Sequence, residues 1–309
     1  MSISQSEKEY ISRGCSEGIR SDGRGALDFR HFTIESDIFP HCSGSARVRV
    51  ALEVDLVCTT KVELLDVTST GDHDNEDDST TVVNDSLNVV EYSVVFSPST
   101  NMKADERTLD EQGSNLARRL QNICVESKSI DAKVLCIIPG KYYWKIHVDI
   151  LIFTADGDPL DVCSIASYLA LGGTRVPRTE LSLGEKGEPD DFAITGDLYD
   201  SDLLDVSNLP LAVSLSKVGN ALVVDATSAE LACSSFSMTV AVDRREKICH
   251  LSKNRGGTAP PGDIMAAMAT STRAAAAIFS ILDGYMAKFD QGSSNECADV
   301  LPPRRGYLS

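Results

Sequence analysis

Residues 148–171 read VDILIFTADGDPLDVCSIASYLAL and contain a strand, a turn and a helix in immediate succession. The β-branched run at the start is typical of a strand. The cluster TADGDP at 154–159 predicts a turn, and the apolar residues from Leu160 predict a helix. This helix is expected to end at Gly172-Gly173 by a left-handed glycine, and Pro177 prevents its continuation.

Similar patterns continue on both sides of this stretch. Alternating apolar and polar residues, hairpin signals such as Gly219-Asn220 and an Ala-rich run mark the other elements. Strands are predicted at 45–54, 56–64, 86–96, 133–140, 142–153, 211–218, 221–227, 235–243 and 246–252, and helices at 107–125 and 259–289. Leu109, Leu116, Leu120 and Ile123 form one face of the first helix, and Asp263 is the expected cap of the second. The order predicts an α/β or α+β protein with two lobes of similar construction.

The composition limits the possible functions. The chain of 309 residues suits one large domain or two lobes, and its net charge is -17. Such an acidic protein is repelled by nucleic acid, so any role in RNA binding requires a local basic patch or basic partners. Its nine cysteines lack a Cys-x-x-Cys motif, and its five histidines share no ligand spacing with them. We therefore predict no metal site, no disulfide framework and a reducing compartment.

The ends and connecting segments are polar. The N-terminus lacks the apolar core of a signal peptide, and no run reaches the apolar length of a membrane span, so we expect an intracellular protein without membrane contact. The predicted organisation is an N-terminal helix or arm at 1–28, a first lobe at 29–178, an acidic connector at 179–207, a second lobe at 208–290 and a loose tail at 291–309.

Two segments resemble ligand loops. Asp72, Asp74 and Glu76 are spaced as in a calcium loop, but Asp77 replaces the glycine that such a loop needs, so we favour a solvated acidic loop. Gly172-Gly173-Thr174-Arg175 has the composition of a phosphate loop. It follows a helix, however, whereas anions bind at helix N-termini, so we interpret it as a helix stop and a turn.

Three motifs in register resemble the ribonuclease PH family. They are RSDGR at 20–24 with FRHFTIESDIFPHCSGSARVRV at 29–50, the strand–turn–helix at 148–171, and LPLAVSLSKVGNALVVDATSAELACSS at 209–235. Within that family the chain is most similar to the non-catalytic ring subunits of the eukaryotic RNA exosome that serve ribosomal RNA processing. The resemblance spans about residues 8–290.

This resemblance implies a ribonuclease PH-like fold with two βαβ-type lobes, in which mixed sheets are packed by helices. It also implies a hetero-hexameric ring, with a paralogous subunit as direct pair and cap subunits that carry RNA-binding domains. The assembled complex would bind the RNA. It would work in the nucleus, nucleolus and cytoplasm. Active members of the family shorten RNA from its 3′ end with inorganic phosphate.

The chain departs from the active members at their chemical positions. In the active members, Ala-Asp-Gly is followed by Gly-Thr-Arg, whose Arg binds phosphate. In this chain, Ala-Asp-Gly is followed by Asp158, Pro159 and Leu160. Asp158 adds a repelling charge, and Pro159 removes a backbone donor. Of the family's pair of aspartates, Asp225 matches the first, and Leu231 occupies the position of the second.

Three hypotheses follow. We favour a structural ring subunit without catalysis or cofactor, and the alternative is an active phosphate-dependent exoribonuclease that uses Asp225 and the adjacent Glu230 with an Arg from a neighbouring subunit. A third is an adaptor that does not touch RNA. Arg107 is too loosely in register with a family arginine to be assigned a role.

Four arginines are candidate contacts to RNA or a partner. Arg20 and Arg24 either serve this role or pair internally as Arg20–Asp22 and Arg24–Asp28. Arg118 and Arg119 flank the apolar face of their helix, and a solvated surface is the favoured alternative there. The strand at 86–96 either joins sheets across the subunit pair or belongs to the core.

Overall fold

The computed structural model describes residues 3–51, 53–67, 88–98, 106–183, 189–194, 200–290 and 298–300. The N-terminal half contains α1 (Gln5–Ser16), β1 (Phe32–Ser36), β2 (Gly44–Val50), β3 (Val54–Asp66), β4 (Val90–Phe96), α2 (Glu106–Ser127), β5 (Cys136–Ile138), β6 (Tyr142–Thr154) and α3 (Leu160–Gly172). The C-terminal half contains β7 (Arg175–Pro177), β8 (Thr179–Leu183), β9 (Pro189–Ile194), β10 (Ser201–Leu203), β11 (Leu211–Val218), β12 (Ala221–Val224), α4 (Ser228–Cys233), β13 (Ser234–Val242), β14 (Ile248–Gly256), α5 (Pro261–Asp290) and β15 (Ala298–Val300).

Each lobe is built on one sheet. The first has seven strands in the order β15-β1-β2-β3-β6-β4, with β5 paired to β6. It is mixed, because β4 runs parallel to β6 while the other pairs are antiparallel. The second lobe has an antiparallel sheet in the order β12-β11-β13-β14. Residues 179–207, predicted as a connector, contain the hairpin β8–β9 and strand β10, which pairs with β7.

Helix α3 lies between the two lobes. Every residue from Leu160 to Gly172 is buried, and the helix packs against β2, β3 and β11. A helix that is apolar all round is stable only where it is enclosed in this way. Its close approach to β2 requires Gly44, since a Cβ there would clash with the carbonyl oxygen of Ala170. The predicted strand–turn–helix at 148–171 is thereby confirmed, and it forms the layer that both lobes share.

The end of α3 differs from the prediction in one respect. The helix does stop at Gly172, but Gly173 has φ -87° and is not left-handed. The hydroxyl of Thr174 instead donates to the Ala170 carbonyl at 2.8 Å and lies 2.7 Å from the Thr60 hydroxyl. Arg175 then begins β7 and is exposed. No helix starts at 172–175, in agreement with the interpretation of this stretch as a stop.

Strand β4 lies at the edge of the first sheet, and α2 covers that edge. The side-chain amide of Gln121 accepts from Tyr92 N–H at 3.2 Å and donates to the Val90 carbonyl at 2.7 Å. Gly113 allows the helix to reach the Val94 carbonyl. Helix α2 thus bonds two of the groups on this edge, Tyr92 N–H and the Val90 carbonyl, and the alternative that the strand joins sheets across a subunit pair stays a prediction.

Two other predictions need correction at the C-terminal end. Asp263 does not cap α5, which starts at Pro261, where the missing N–H of proline costs nothing. Its carboxylate instead accepts from Lys217 Nζ at 2.9 Å. The part of α5 from Pro261 to Met286 is also long and apolar enough to cross a membrane by length and composition, with a mean hydropathy of 1.4 over its most apolar 18 residues, so the prediction that no run reaches this length is wrong. Much of this apolarity comes from alanines.

The tail and the acidic loop complete the comparison with the sequence. Residues 298–300, within the segment expected to be loose, form β15 and pair with β1. The candidate calcium loop, with Asp72, Asp74, Glu76 and Asp77, lies outside the described residues.

The lobes are joined where α3 meets β11. Ser164 Oγ accepts from Ala212 N–H at 3.0 Å, and Asp161 Oδ2 accepts from Ser214 N–H at 2.9 Å. The other oxygen of Asp161 is buried and has no partner. Burial raises the pKa of Asp161 to about 8, and the charges of Asp158 and Asp225 act in the same direction against the hydrogen bonds from Ser214.

Asp161→Asn should reveal this pKa shift as a pH-dependent gain in stability. The unfolded chain loses this proton near pH 4, whereas the folded chain keeps it to about pH 8, so the free energy of unfolding falls as the pH rises between these values. The variant carries an amide that does not titrate, so its free energy of unfolding does not fall for this reason. Urea unfolding at pH 5 and pH 9 should show that the variant gains at least about 2 kcal/mol relative to the wild type between the two pH values. An equal difference at both would contradict the assignment.

Candidate functional site

The site predicted from separate motifs is assembled where two turns meet, the turn after β6 and the turn after β12. Gly157 has φ 81°, and a Cβ there would clash with the Ala226 carbonyl. Gly157 N–H donates to Ser228 Oγ at 2.9 Å, and Ser228 N–H donates to Asp156 Oδ2 at 3.2 Å. Residues about seventy positions apart therefore form one surface, which brings the turn at 158–160 next to Asp225 and α4.

Asp225 follows β12 in the left-handed conformation, with φ 48°, and is buried. Its carboxylate accepts from Arg30 N–H at 2.9 Å, from Arg30 Nη2 at 2.6 Å and from Arg24 Nη1 at 3.0 Å. Burial opposes ionisation of Asp225, but the hydrogen bonds and charge of Arg30 outweigh it and hold the pKa of this carboxyl below its usual value. Both oxygens are engaged, which leaves no free lone pair directed at a ligand.

Glu230 is paired in the same way with Arg20. Arg20 Nε and Nη2 donate to the two carboxylate oxygens at 2.8 Å and 2.6 Å, and both side chains are 1% exposed. The remaining donors of Arg20 reach the carbonyls of Val224 and Asp225 at 3.0 Å and 2.9 Å. Glu230 also closes a capping box with Thr227 at the start of α4. The Glu230 side chain therefore caps the start of α4 and also neutralises the buried Arg20 guanidinium.

Asp158 is an acidic residue of the turn that leads into α3. Its carboxylate accepts from Arg119 Nη1 and Nη2 at 3.3 Å and 3.0 Å, and from Leu160 N–H at 3.3 Å. An anion supplied by the chain thus sits at the N-terminus of α3, where the helix dipole favours negative charge. Pro159 precedes the helix, and the Leu160 side chain is fully buried, so neither offers a group to a ligand. Leu231 is half-buried in α4 and likewise carries no polar group.

The structure changes the predicted roles of the arginines. Arg20 is buried against Glu230, and not paired with Asp22, so it cannot contact RNA or a partner. Arg24 pairs with the carboxylates of Asp22 and Asp225. From Asp28 it bonds the backbone carbonyl and not the carboxylate. The predicted contact role is thus wrong for Arg20, and Arg24 is engaged within the chain.

The other two candidates differ from each other. Arg119 is bound to Asp158 and also donates to Thr239 Oγ1 at 3.1 Å in the second lobe. Arg118 is exposed on α2 and makes no ion pair among the described residues. Its contact role stays a prediction, as does the absence of a role for exposed Arg107.

Sequence reasoning missed the central residue of the site, Arg30. Its guanidinium donates to Glu53 at 2.9 Å and to Asp156 at 3.4 Å besides binding Asp225. It therefore connects the β2–β3 turn, the turn before α3 and the end of β12. The only local signal was a charged residue in the apolar context of FRHF at 29–32.

The acidic and basic side chains of this site neutralise one another. The carboxylates of Asp158, Asp225 and Glu230, a group type that can act as a base or hold a metal, are each bonded by arginines of the same chain. Within the part of the chain that the structure describes, no group of three His, Cys, Asp or Glu side chains is placed to hold a metal ion.

The family models identify the chain. The model of the 3′ exoribonuclease family, domain 1, matches residues 28–177, and the model of domain 2 of the same family matches residues 208–274. The chain belongs to the 3′ exoribonuclease family. The resemblance drawn from the three motifs is thereby confirmed, together with the ribonuclease PH-like fold.

Curated members of the family match along most of the chain. A protein of Dictyostelium discoideum named putative exosome complex exonuclease RRP42 is 27% identical over 91% of this chain and 97% of its own length. The exosome complex component Rrp42 of Pyrococcus abyssi is 28% identical over 89% and 93%. Among solved structures, a chain of the Archaeoglobus fulgidus exosome with RNA bound to the active site superposes with a TM-score of 0.71 at 23% identity, over 89% of this chain and 97% of that one. This last similarity is one of fold.

Arg20→Met tests the buried pair with Glu230. Removal of the cation leaves a buried carboxylate without compensation, which should lower the free energy of unfolding by about 3–5 kcal/mol in urea titrations. Arg13→Met is the matched control, because Arg13 pairs with Glu17 on the exposed surface of α1 and should cost at most about 1 kcal/mol. Equal losses in the two variants would refute the structural role of Arg20.

Asp158→Asn should create phosphate binding that the wild type lacks. The substitution removes the internal anion and frees Arg119 beside the start of α3. A dissociation constant of about 1 mM would raise the free energy of unfolding by about 2 kcal/mol at about 20 mM phosphate. Thermal unfolding in phosphate and in chloride of equal ionic strength measures this difference. Adding Arg119→Met should abolish the gain, and a wild type that gains as much as the variant would contradict the account.

Proposed function

We propose that this chain is a non-catalytic ring subunit of an RNA exosome and supports 3′-to-5′ RNA processing and degradation, including maturation of ribosomal RNA. The observation that carries the proposal is the pairing of Asp225, Glu230 and Asp158 with arginines of the same chain. Similarity to exosome components over about nine-tenths of the chain supports the assembly. In this role the chain keeps the fold of its family but does not cleave RNA itself.

The physical reason lies in the groups that phosphate-dependent cleavage needs. Phosphate must be held by free donors, and a carboxylate must be available to move a proton or bind a metal. Here the donors of Arg119 are bound to Asp158. The carboxylate oxygens of Asp225 are bound by Arg30 and Arg24. An arginine borrowed from a neighbouring subunit would add another cation but would not release these carboxylates.

The proposed partners follow from this assembly. The chain pairs directly with a paralogous subunit, completes a hetero-hexameric ring and carries cap subunits with RNA-binding domains. A net charge of -17 suits contact with basic neighbours and leaves RNA binding to the assembled complex. Work in the nucleus, nucleolus and cytoplasm is part of the same proposal.

Asp225→Asn tests whether this chain performs catalysis in its own assembly. The complex is purified with wild-type or variant subunit and incubated with end-labelled RNA, with and without inorganic phosphate. Loss of a catalytic base lowers a rate by about 10²–10⁴-fold. We expect the rate of RNA shortening to stay within about twofold of the wild type, because Asp225 already binds arginine and not substrate.

Glu17→Gln is the matched control for this assay, since Glu17 is an exposed carboxylate that pairs with Arg13 on the surface. Thermal unfolding establishes that both variants are folded at the assay temperature. A fall of about a hundredfold confined to Asp225→Asn, in an intact complex, would mean that this chain is a catalyst.

A further inference from the structure

Two cysteines lie where α1 packs against the second lobe. Cys15, near the end of α1, is buried, and Cys233, the last residue of α4, is half-buried. Cys15 forms a small apolar cluster with Val218 and Val223, and Cys233 packs against this cluster. Side chains from α1, the hairpin β11–β12 and α4 therefore bring the two thiols into one site.

The face of α4 that meets α1 carries both Glu230 and Cys233. Residues three apart are neighbours on a helix surface. Cys15 Sγ lies 4.0 Å from Glu230 Oε1, so Cys15 contacts the face of α4 to which Cys233 belongs. Burial and the charge of Glu230 raise the pKa of Cys15 against the opposing charge of Arg20, and Cys233 is near enough to act in the same direction as Glu230.

The Cys233 thiol is accessible from solvent. It lines an open cavity of about 580 Å³ between α1 and the turn after β11, together with Lys8, Ser12 and Asn220. Hydrogen peroxide is little larger than water, so it can reach Cys233 in this cavity without unfolding of the chain. Cys15 is only 3% exposed and depends on Cys233 for contact with an oxidant.

Cys58 and Cys163 show why access matters. These two thiols also lie close enough for Cys58 to help raise the pKa of Cys163, an increase that is caused chiefly by burial. Both are fully buried in the main core, so no oxidant in solution reaches them. Buried cysteines of this kind are inert, whereas an accessible cysteine beside a second thiol is typical of a redox-sensitive site.

We infer that Cys15 and Cys233 are a peroxide-oxidisable pair, and that their disulfide fixes α1 to the second lobe. The Cys233 sulfur attacks one oxygen of hydrogen peroxide, whose O–O bond breaks to give a sulfenic acid and water. The Cys15 sulfur then attacks the Cys233 sulfur. The S–S bond forms, the S–O bond breaks, and the hydroxyl leaves as a second water with the Cys15 proton. Two electrons pass from the thiols to the peroxide.

The disulfide would reinforce the contact between the N-terminal arm and α4. The arm also carries Arg20, which is bound to Glu230 one turn before Cys233. A covalent link and a buried ion pair would then hold the same two segments together. Disulfides in reducing compartments are usually transient and redox-sensing, and a thiol reductant would reverse this one. The pair acts within a single chain and does not depend on the proposed ring.

Peptide mapping of the reduced full-length chain, after brief treatment with hydrogen peroxide, tests the pairing. The chain should lose the mass of two hydrogen atoms, and Cys15 should be joined to Cys233 at least about tenfold more often than any other two cysteines are joined. Dithiothreitol should restore both thiols. Disulfides scattered over the nine cysteines, or oxidation to sulfinic and sulfonic acids alone, would overturn the inference.

Two variants separate the steps of the reaction. Cys233→Ser should leave Cys15 reduced, whereas Cys15→Ser should leave Cys233 as a sulfenic acid that dimedone labels. Cys249→Ser is the matched control, because Cys249 is also half-buried, and it should retain the disulfide. Thermal unfolding establishes that each variant is folded, and the map of the wild type requires no variant. Dimedone labelling of Cys233 that is equal in the wild type and in Cys15→Ser would overturn the role of Cys15.

Hydrogen exchange tests the effect on α1. Peptides covering residues 5–16 should exchange at least about tenfold more slowly in the oxidised chain than in the reduced chain, because the disulfide opposes local opening of the helix. Cys15→Ser treated with the same peroxide should show no such slowing. Equal exchange in the oxidised and reduced wild type would overturn the claim that the disulfide fixes α1.

Discussion

The buried ion pair between Arg30 and Asp225 is the contact on which the site depends. Arg30 lies between the N-terminal arm and β1, and it also reaches Glu53 and Asp156, so one guanidinium holds three turns of the molecule together. A buried pair stabilises a protein only when its remaining donors and acceptors are satisfied. Here they are, because Arg24 and the Arg30 backbone bond the rest of the Asp225 carboxylate. The left-handed backbone at Asp225 is tolerated by an aspartate held so firmly.

The same interactions decide what the site can do. An active site keeps its carboxylates and cations available to a ligand, at the expense of stability. In this chain Arg20 is used by Glu230, Arg30 by Asp225 and Arg119 by Asp158. The N-terminus of α3 receives an internal carboxylate, that of Asp158. These ion pairs therefore stabilise the fold at the place where its two turns meet.

The sequence predicted those features that depend on local patterns. The strand–turn–helix at 148–171, the apolar face of α2 and the hairpin at Gly219-Asn220 all follow from periodicity and turn chemistry, and the structure confirms them. The departures from the family motif were also visible, since Asp158, Leu160 and Leu231 are read directly from the chain.

The pairings were not predictable in this way. Glu230 is 210 positions from Arg20, and no local spacing connects them. Gln121, on a helix packed across β4, bonds Tyr92 N–H and the Val90 carbonyl, a contact that no local spacing indicates. Asp263 had the composition of a helix cap, but Pro261 starts the helix and Lys217 takes the carboxylate. In each case a tertiary contact overrode a sound local rule.

Native mass spectrometry of the tagged protein, purified gently from its own cells, tests the central claim most directly. The proposed function requires the chain to work beside related subunits, so we predict one copy of it in a complex of several different members of the family. A homo-hexamer or homodimer of this chain that shortens RNA would contradict the account, because the site would then have to function with its own arginine-bound carboxylates.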